Sequence, residues 1–370
     1  MSDPRPPVTL MELVLRYRRR VFLLAFLLYL ALLGVDLATE GRILPPTAYA
    51  YLLFLLLLLF YALPPLYSSR RLTRYYWERT RRHRLALLGL GFIFLLVAVA
   101  LVGPFLTADP TRVNFKEKSL PPVGFSTEQF TFDIATGQII TEEMRGAWSH
   151  PLGTDGEGRD MVAMLVSGAR VSLQVGLLAT GIAIFLGVVL GIVSAYLGGW
   201  VDNALMRFTD IMMTFPFFLL LIFIVYRFGQ SLELIILAIG LTGWTGTARL
   251  VRSEALSLRT RDFVVAARAL GASGTRIVFR HLIPNTVSTI IVIATLSIPG
   301  IIVAESALSF IGLGDPTVAS WGRTLSAGQR ALDTAWWIAV EPGIVLFLTV
   351  LAFNFLGDGM RDAFDPRSEA

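Results

Sequence analysis

Residues Arg261–Asn285 read RDFVVAARALGASGTRIVFRHLIPN, a short polar interlude between two apolar blocks. Asp262 is a good N-cap residue, and Gly271 sits where a helix ending in a left-handed residue would want it. The spacing therefore predicts a helix of about two turns, Phe263–Leu270. Phe263, Ala266, Ala267 and Leu270 follow i, i+3, i+4, i+7 and share one face. Ser273 can cap a second helix running to Pro284, whose missing N–H is expected to break or kink the chain. The two Ala residues would let a partner backbone approach closely. Phe263 and Leu270 flank them as apolar anchors, and Arg261 and Arg268 can pair with acidic groups at the rim. From periodicity alone, an amphipathic helix lying on a bilayer surface fits the same pattern.

The apolar blocks on either side are Leu234–Ala248 and Leu282–Ala304, and six more lie further out. These are Val21–Leu37, Ala48–Tyr67, Leu85–Ala108, Val171–Val201, Ala204–Tyr226 and Ala335–Gly357. A hydrocarbon core of ~30 Å takes about 20 apolar residues as helix, so the pattern predicts an all-α, polytopic transmembrane bundle of about eight spans. The composition agrees: 55% of the 370 residues are hydrophobic, 16% are charged and the mean hydropathy is +0.66. A soluble domain needs more charge to cover its surface.

The net charge of +5 is carried by Arg gathered between the blocks, which is a topology signal rather than a nucleic-acid face. Arg16, Arg18, Arg19 and Arg20 precede the first block. A second cluster runs from Arg70 to Arg84, and a third includes Arg249, Arg252, Arg259, Arg276 and Arg280. With eight spans all three fall on one side, which the positive-inside rule makes cytoplasmic, and both termini lie there too. The segment Asp109–Arg170 is then external, with a short hairpin around Gln129–Ile140. Ala48-Tyr49-Ala50 has the form of a signal cleavage site but lies inside the second block, so no cleavage is expected.

Several chemistries are excluded. There is no Cys, hence no disulfide or thiolate metal site. His83, His150 and His281 are too dispersed for a histidine metal cluster. The two Lys residues, Lys116 and Lys118, follow Phe115 and Glu117 rather than Gly, so there is no phosphate-binding P-loop. No catalytic set converges, and Asp155, Glu157 and Asp160 near His150 read as a Gly-rich structural turn. Within the blocks, Arg207 and Asp210 are spaced to pair on one helix. Gln174, Glu233, Glu305 and Glu341 stand near external span ends, as solvated termini or as parts of a gate. Gly187 and Gly191 form a G-x-x-x-G that permits close helix packing.

Residues 261–285 resemble the EAA loop of permease subunits of ATP-binding-cassette importers. Ala266, Ala267, Gly271 and Pro284 match that motif, whereas Val265 replaces its leading Glu, and His281 and Ile283 stand at its later aliphatic positions. Further segments are similar to dipeptide and oligopeptide permeases of the C type. They are His150–Asp155 with Gly158-Arg159-Asp160, Gly198–Asp202, Ala304–Phe310 with Gly312-Leu313-Gly314, and Asn354–Gly359. The resemblance implies a type I importer permease with a transport core at 171–370, a coupling loop at 251–285, and a first core span plus external loop at 85–170. It also implies docking of an ATPase by Arg261, Asp262, Phe263, Ala266, Ala267, Arg268, Leu270, Gly271 and Pro284. Implied partners are a second permease, two ATPase subunits that alone bind and hydrolyse ATP, an external solute-binding protein and the lipid bilayer, with no nucleic acid. This chain would need no catalytic, metal or cofactor site of its own. The implied location is a bacterial or archaeal inner membrane, and the cargo is peptides or similar small solutes. Residues 1–84, with two predicted spans, exceed the usual six-span pattern. The competing class is an ion-gradient-driven secondary transporter or channel, which calls for mid-membrane ionisable groups and often inverted repeats.

Overall fold

A computed structural model describes residues 22–23, 25–36, 77–78, 80–81, 83–133 and 138–364. The chain forms two compact units divided between Arg82 and His83. In the first, the described residues include a short apolar helix, Ala25–Asp36, within the first predicted span. The second predicted span, Ala48–Tyr67, lies outside the described residues.

The second unit is a helical bundle. Its long helices are α1 (Arg84–Leu106), α2 (Met161–Leu197), α8 (Gly274–Phe310) and α10 (Trp337–Phe364). The pair α5 (Leu232–Thr242) and α6 (Thr245–Arg259) together makes a fifth rod of spanning length, Leu232–Arg259. Helices α3 (Gly199–Thr214) and α4 (Phe217–Phe228) are bent by 81° at Phe215 and Pro216. Five helices of this unit are thus long and apolar enough to cross a membrane, or six if the bent pair is one broken span. These six coincide with the last six predicted blocks. Large apolar side chains such as Leu88, Phe94 and Leu101 of α1 point outward and are exposed, the inverse of a water-soluble surface.

Helix α2 is the axis of the packing. At 37 residues it is about 55 Å long, and different partners meet its two ends. Near its start, Met161 and Met164 pack with Ala319, Ala335, Trp337 and Ile338. Further along, Ala169 and Leu173 join Leu96, Ile298, Ile302, Phe353 and the fully buried Trp321. Trp321 belongs to the short helix α9 (Trp321–Gln329) and donates Nε1–H to the Leu165 carbonyl at 3.0 Å. The G-x-x-x-G pair does pack closely. A Cβ on Gly187 would come within 2.5 Å of Thr247 Cβ, and one on Gly191 within 2.6 Å of the Ala248 carbonyl, so α6 lies directly on α2.

The segment before α2 contains an antiparallel hairpin, β1 (Ser126–Asp133) with β2 (Gln138–Arg145), in which Ser126 faces Arg145 and Asp133 faces Gln138. It is longer than the hairpin predicted around Gln129–Ile140. The predicted external segment ran to Arg170, but α2 already begins at Met161. Asp160 caps it, accepting the Ala163 N–H at 3.0 Å, a stop-and-start signal that the apolar count alone does not register.

The charges within the helices find other partners than those predicted. Asp210 does not pair with Arg207 three residues away; it pairs with Arg249 of α6. Glu305 is no solvated terminus. It is fully buried and accepts Ser309 Oγ–H at 2.7 Å. Gln174 is buried as well, and one oxygen of the half-buried Glu341 has no hydrogen-bond partner.

Candidate functional site: the loop between α6 and α8

The predicted docking stretch emerges from the end of α6 as helix α7, Asp262–Ala269, eight residues long. Its N-cap is Arg261, in extended conformation, rather than Asp262. Asp262 instead occupies the first turn, where its charge opposes the helix dipole favourably. The helix stops as predicted at Gly271, whose φ of +79° places it in the left-handed region. The Gly271 N–H reaches the Arg268 carbonyl and the Ala272 N–H reaches the Ala267 carbonyl, both at 3.0 Å. This 5→2 and 6→1 pattern closes the last turn and leaves few carbonyls unsatisfied.

One side chain anchors α7 to the bundle. Val264 is fully buried, packed with Ile192 and Ala195 of α2, Val251 and Ala255 of α6, and Ile277 and Leu282 of α8. The neighbouring stripe faces outward. Phe263 is 42% exposed and Leu270 88% exposed, and Ala266, Arg261 and Arg268 are exposed beside them. Ala267 departs from the expected face: three residues after Val264, it turns towards the bundle and is half-buried. Val265, at the position of the motif's Glu, is exposed.

The return strand of the loop also differs from expectation. Ser273 takes the N-cap position of α8, but its side chain makes no cap bond. Pro284 neither breaks nor visibly ends the helix. Residues Val278–Leu282 wind as a π-turn, and the Ile283 N–H bonds to the Val278 carbonyl five residues back. Widening the turn by one residue accommodates the proline ring and its missing donor. In the same turn Asn285 Nδ2 donates to the His281 carbonyl at 2.6 Å. His281 packs its ring 6.1 Å from that of Phe263, and Ile283 is half-buried against the Val264 cluster.

Two contributors were not singled out from the sequence. Val264 was overlooked because an apolar residue between two candidate face positions carries no periodicity signal of its own. Phe279, exposed on the first turns of α8, extends the apolar surface beside Arg276 and Arg280, both exposed. The chemistry of the whole patch is apolar knobs ringed by guanidinium groups, suited to a groove with an acidic rim.

The His150 region serves structure. His150 bridges Asp160 at 3.0 Å and Glu117 at 3.2 Å, Arg159 pairs with Asp155 at 2.7 Å, and the Trp337 indole donates to the Thr154 carbonyl at 2.9 Å. Among the described residues no cluster of His, Asp and Glu is arranged to hold a metal ion. Beside it, at the end of the bundle opposite α7, opens a cavity of about 700 Å³ lined partly by Arg159, Gln230, Ser309, Arg323 and Arg330.

Comparison with known proteins gives this geometry its context. A model of the binding-protein-dependent transport system inner membrane component matches residues 187–369, and one of the N-terminal transmembrane domain of oligopeptide transport permease C matches residues 71–122. The oligopeptide transport system permease protein OppC of Haemophilus influenzae is 42% identical over 239 residues, which cover 64% of this chain and 77% of that protein. The dipeptide transport system permease protein DppC of Bacillus subtilis is 37% identical over 294 residues, covering 79% of this chain and 84% of the relative. The chain belongs to the oligopeptide and dipeptide transport permease family. It is a multi-pass membrane protein of that family with helical spans, and the α6–α8 loop lies inside the longer matched region. Residues 1–70 of the permease precede both matched regions.

Proposed function

We propose that this permease is the C-type membrane subunit of an ATP-driven importer of peptides or similar small solutes, and that α7 is its contact with an ATPase subunit. The observation that carries this reading is the mounting of α7. A rigid two-turn helix presents Phe263, Ala266 and Leu270 outward, while Val264 ties it to α2, α6 and α8 together. A push on such a knob moves three packed helices rather than bending a loop, because close-packed interiors shift as bodies.

In this reading the Arg-rich end is cytoplasmic, as are both termini, and two ATPase chains bind there. A second permease completes the path, and an external solute-binding protein delivers cargo at the end bearing the hairpin and the cavity. ATP is bound and hydrolysed only in the ATPase chains, so this chain needs no cofactor and is not an enzyme. The resemblance of residues 261–285 to the EAA loop and the names of the relatives support the arrangement.

The test is uptake of labelled di- and oligopeptides into vesicles holding the permease and its neighbouring gene products. Uptake should require ATP and the ATPase subunits and persist with a proton ionophore. Uptake that survives removal of the ATPases and collapses with the ionophore would replace this reading with a gradient-driven transporter.

A further inference from the structure

Helix α3 is joined to α6 by more than apolar packing. Asp202 accepts from Arg252 through both oxygens, Nε to Oδ1 at 2.5 Å and Nη2 to Oδ2 at 2.6 Å, and Ser194 Oγ at the end of α2 donates to the same carboxylate. This pair is partly sheltered, with side-chain exposures of 15% and 31%. Two turns further along α3, Asp210 pairs with Arg249, one turn back on α6. Phe208 of α3 also stacks on Trp244, the residue that precedes α6, with ring centroids 5.8 Å apart and planes within 18°. The side chains at 202 and 210 on one helix, and at 249 and 252 on the other, thus form a two-rung ladder with an aromatic contact beside it.

The position of this ladder gives it a mechanical consequence. Helix α6 runs through Thr260 and Arg261 straight into α7, and Val251 and Ala255 of α6 hold Val264. Helix α3 runs into the 81° bend and then α4. A bidentate Arg–carboxylate pair fixes orientation as well as distance, so α3 cannot roll on α6 without breaking the Asp202–Arg252 rung. We propose that Asp202–Arg252 and Asp210–Arg249 are positioning pairs that clamp α3 to α6, so that movement of α7 is delivered to the bent α3–α4 span. This rests on the docking role of α7 proposed above, and it adds which span receives the motion and through which residues.

The test uses the assembled complex in proteoliposomes and reads solute imported per ATP hydrolysed, with ATPase capture measured in parallel. Asp202→Arg and Arg252→Asp singly should each lower that ratio about tenfold with capture intact, and the double exchange should restore it to within about twofold. A purely structural pair would lower yield and capture together and leave the ratio of the surviving complexes unmoved. Because the chain has no Cys, a second form is available if those variants fold poorly. Asp210→Cys with Arg249→Cys is bridged by a short bifunctional thiol reagent before the ATPases are added. Helices that move as one keep their uptake when bridged. A ratio unmoved in the single variants, or bridging that stops uptake, overturns the clamp. Absence of ATPase capture by the unaltered chain would instead contradict the docking role.

Discussion

Leu270→Asp is expected to abolish ATP-driven uptake while leaving the permease folded and inserted. Leu270 is the most exposed large apolar residue of the loop and contributes nothing to the cluster around Val264. Removing it from a bundle it does not touch costs the isolated chain little. In the complex the same residue would be an apolar knob in a groove, and a carboxylate there is desolvated and set against an acidic rim. Loss of a central interface anchor weakens binding by about 2–4 kcal/mol, roughly thirtyfold to a thousandfold. The checks are capture of the ATPase by the purified permease, which should be lost, and melting temperature in detergent, which should not move. Val264→Asp offers the contrast: it places a charge in a dry cluster shared by three helices, so stability and capture should fail together.

Trp321→Ala should produce the largest loss of stability without touching α7. The indole is fully buried among Leu96, Ala169, Leu173, Ile302 and Phe353, and α2 is shaped around it. A Cβ on Gly168 would lie 2.1 Å from Trp321 Cδ1, so only glycine admits the ring at that point. Truncating a buried Trp costs about 3–5 kcal/mol through the cavity it leaves. The Leu165 carbonyl, which now accepts Nε1–H at 3.0 Å, would lose a partner worth about 1 kcal/mol more. Thermal unfolding in detergent should show a clear fall in melting temperature, and Trp321→Phe should recover much of the packing but not the hydrogen bond. Equal melting of wild type and Trp321→Ala would show that this core does not hold α9 on α2.

The sequence made the bundle legible because a span is written in local composition. A run of about 20 apolar residues has few other fates, and the six blocks after residue 84 reappear as α1, α2, the α3–α4 pair, the α5–α6 rod, α8 and α10. Helix α7 was legible because Gly271 marks its end by a conformation other residues avoid. What escaped depends on partners distant in the chain. Asp210 has Arg207 within reach on its own helix, but Arg249 lies 39 positions away, and no local spacing announces it. Glu305 is kept buried by hydroxyls at Ser306 and Ser309, which look unremarkable in a helical pattern. Ala267 was assigned to the outward face because periodicity gives relative, not absolute, orientation. Val264, the residue that fixes the direction, is visible only once α2, α6 and α8 are packed. Pro284 looked like a break because a proline's missing donor is local knowledge, whereas the π-turn that absorbs it involves the five residues before it.

We propose that the outward stripe of α7 lies on the cytoplasmic side and is covered there by an ATPase subunit. The direct measurement is Leu270→Cys in the naturally Cys-free chain, probed with a membrane-impermeant maleimide in oriented vesicles. Labelling should occur only from the cytoplasmic face of the permease alone and should fall sharply once the ATPase subunits are bound. Labelling from the opposite face, or labelling that the ATPases leave unchanged, would contradict the account.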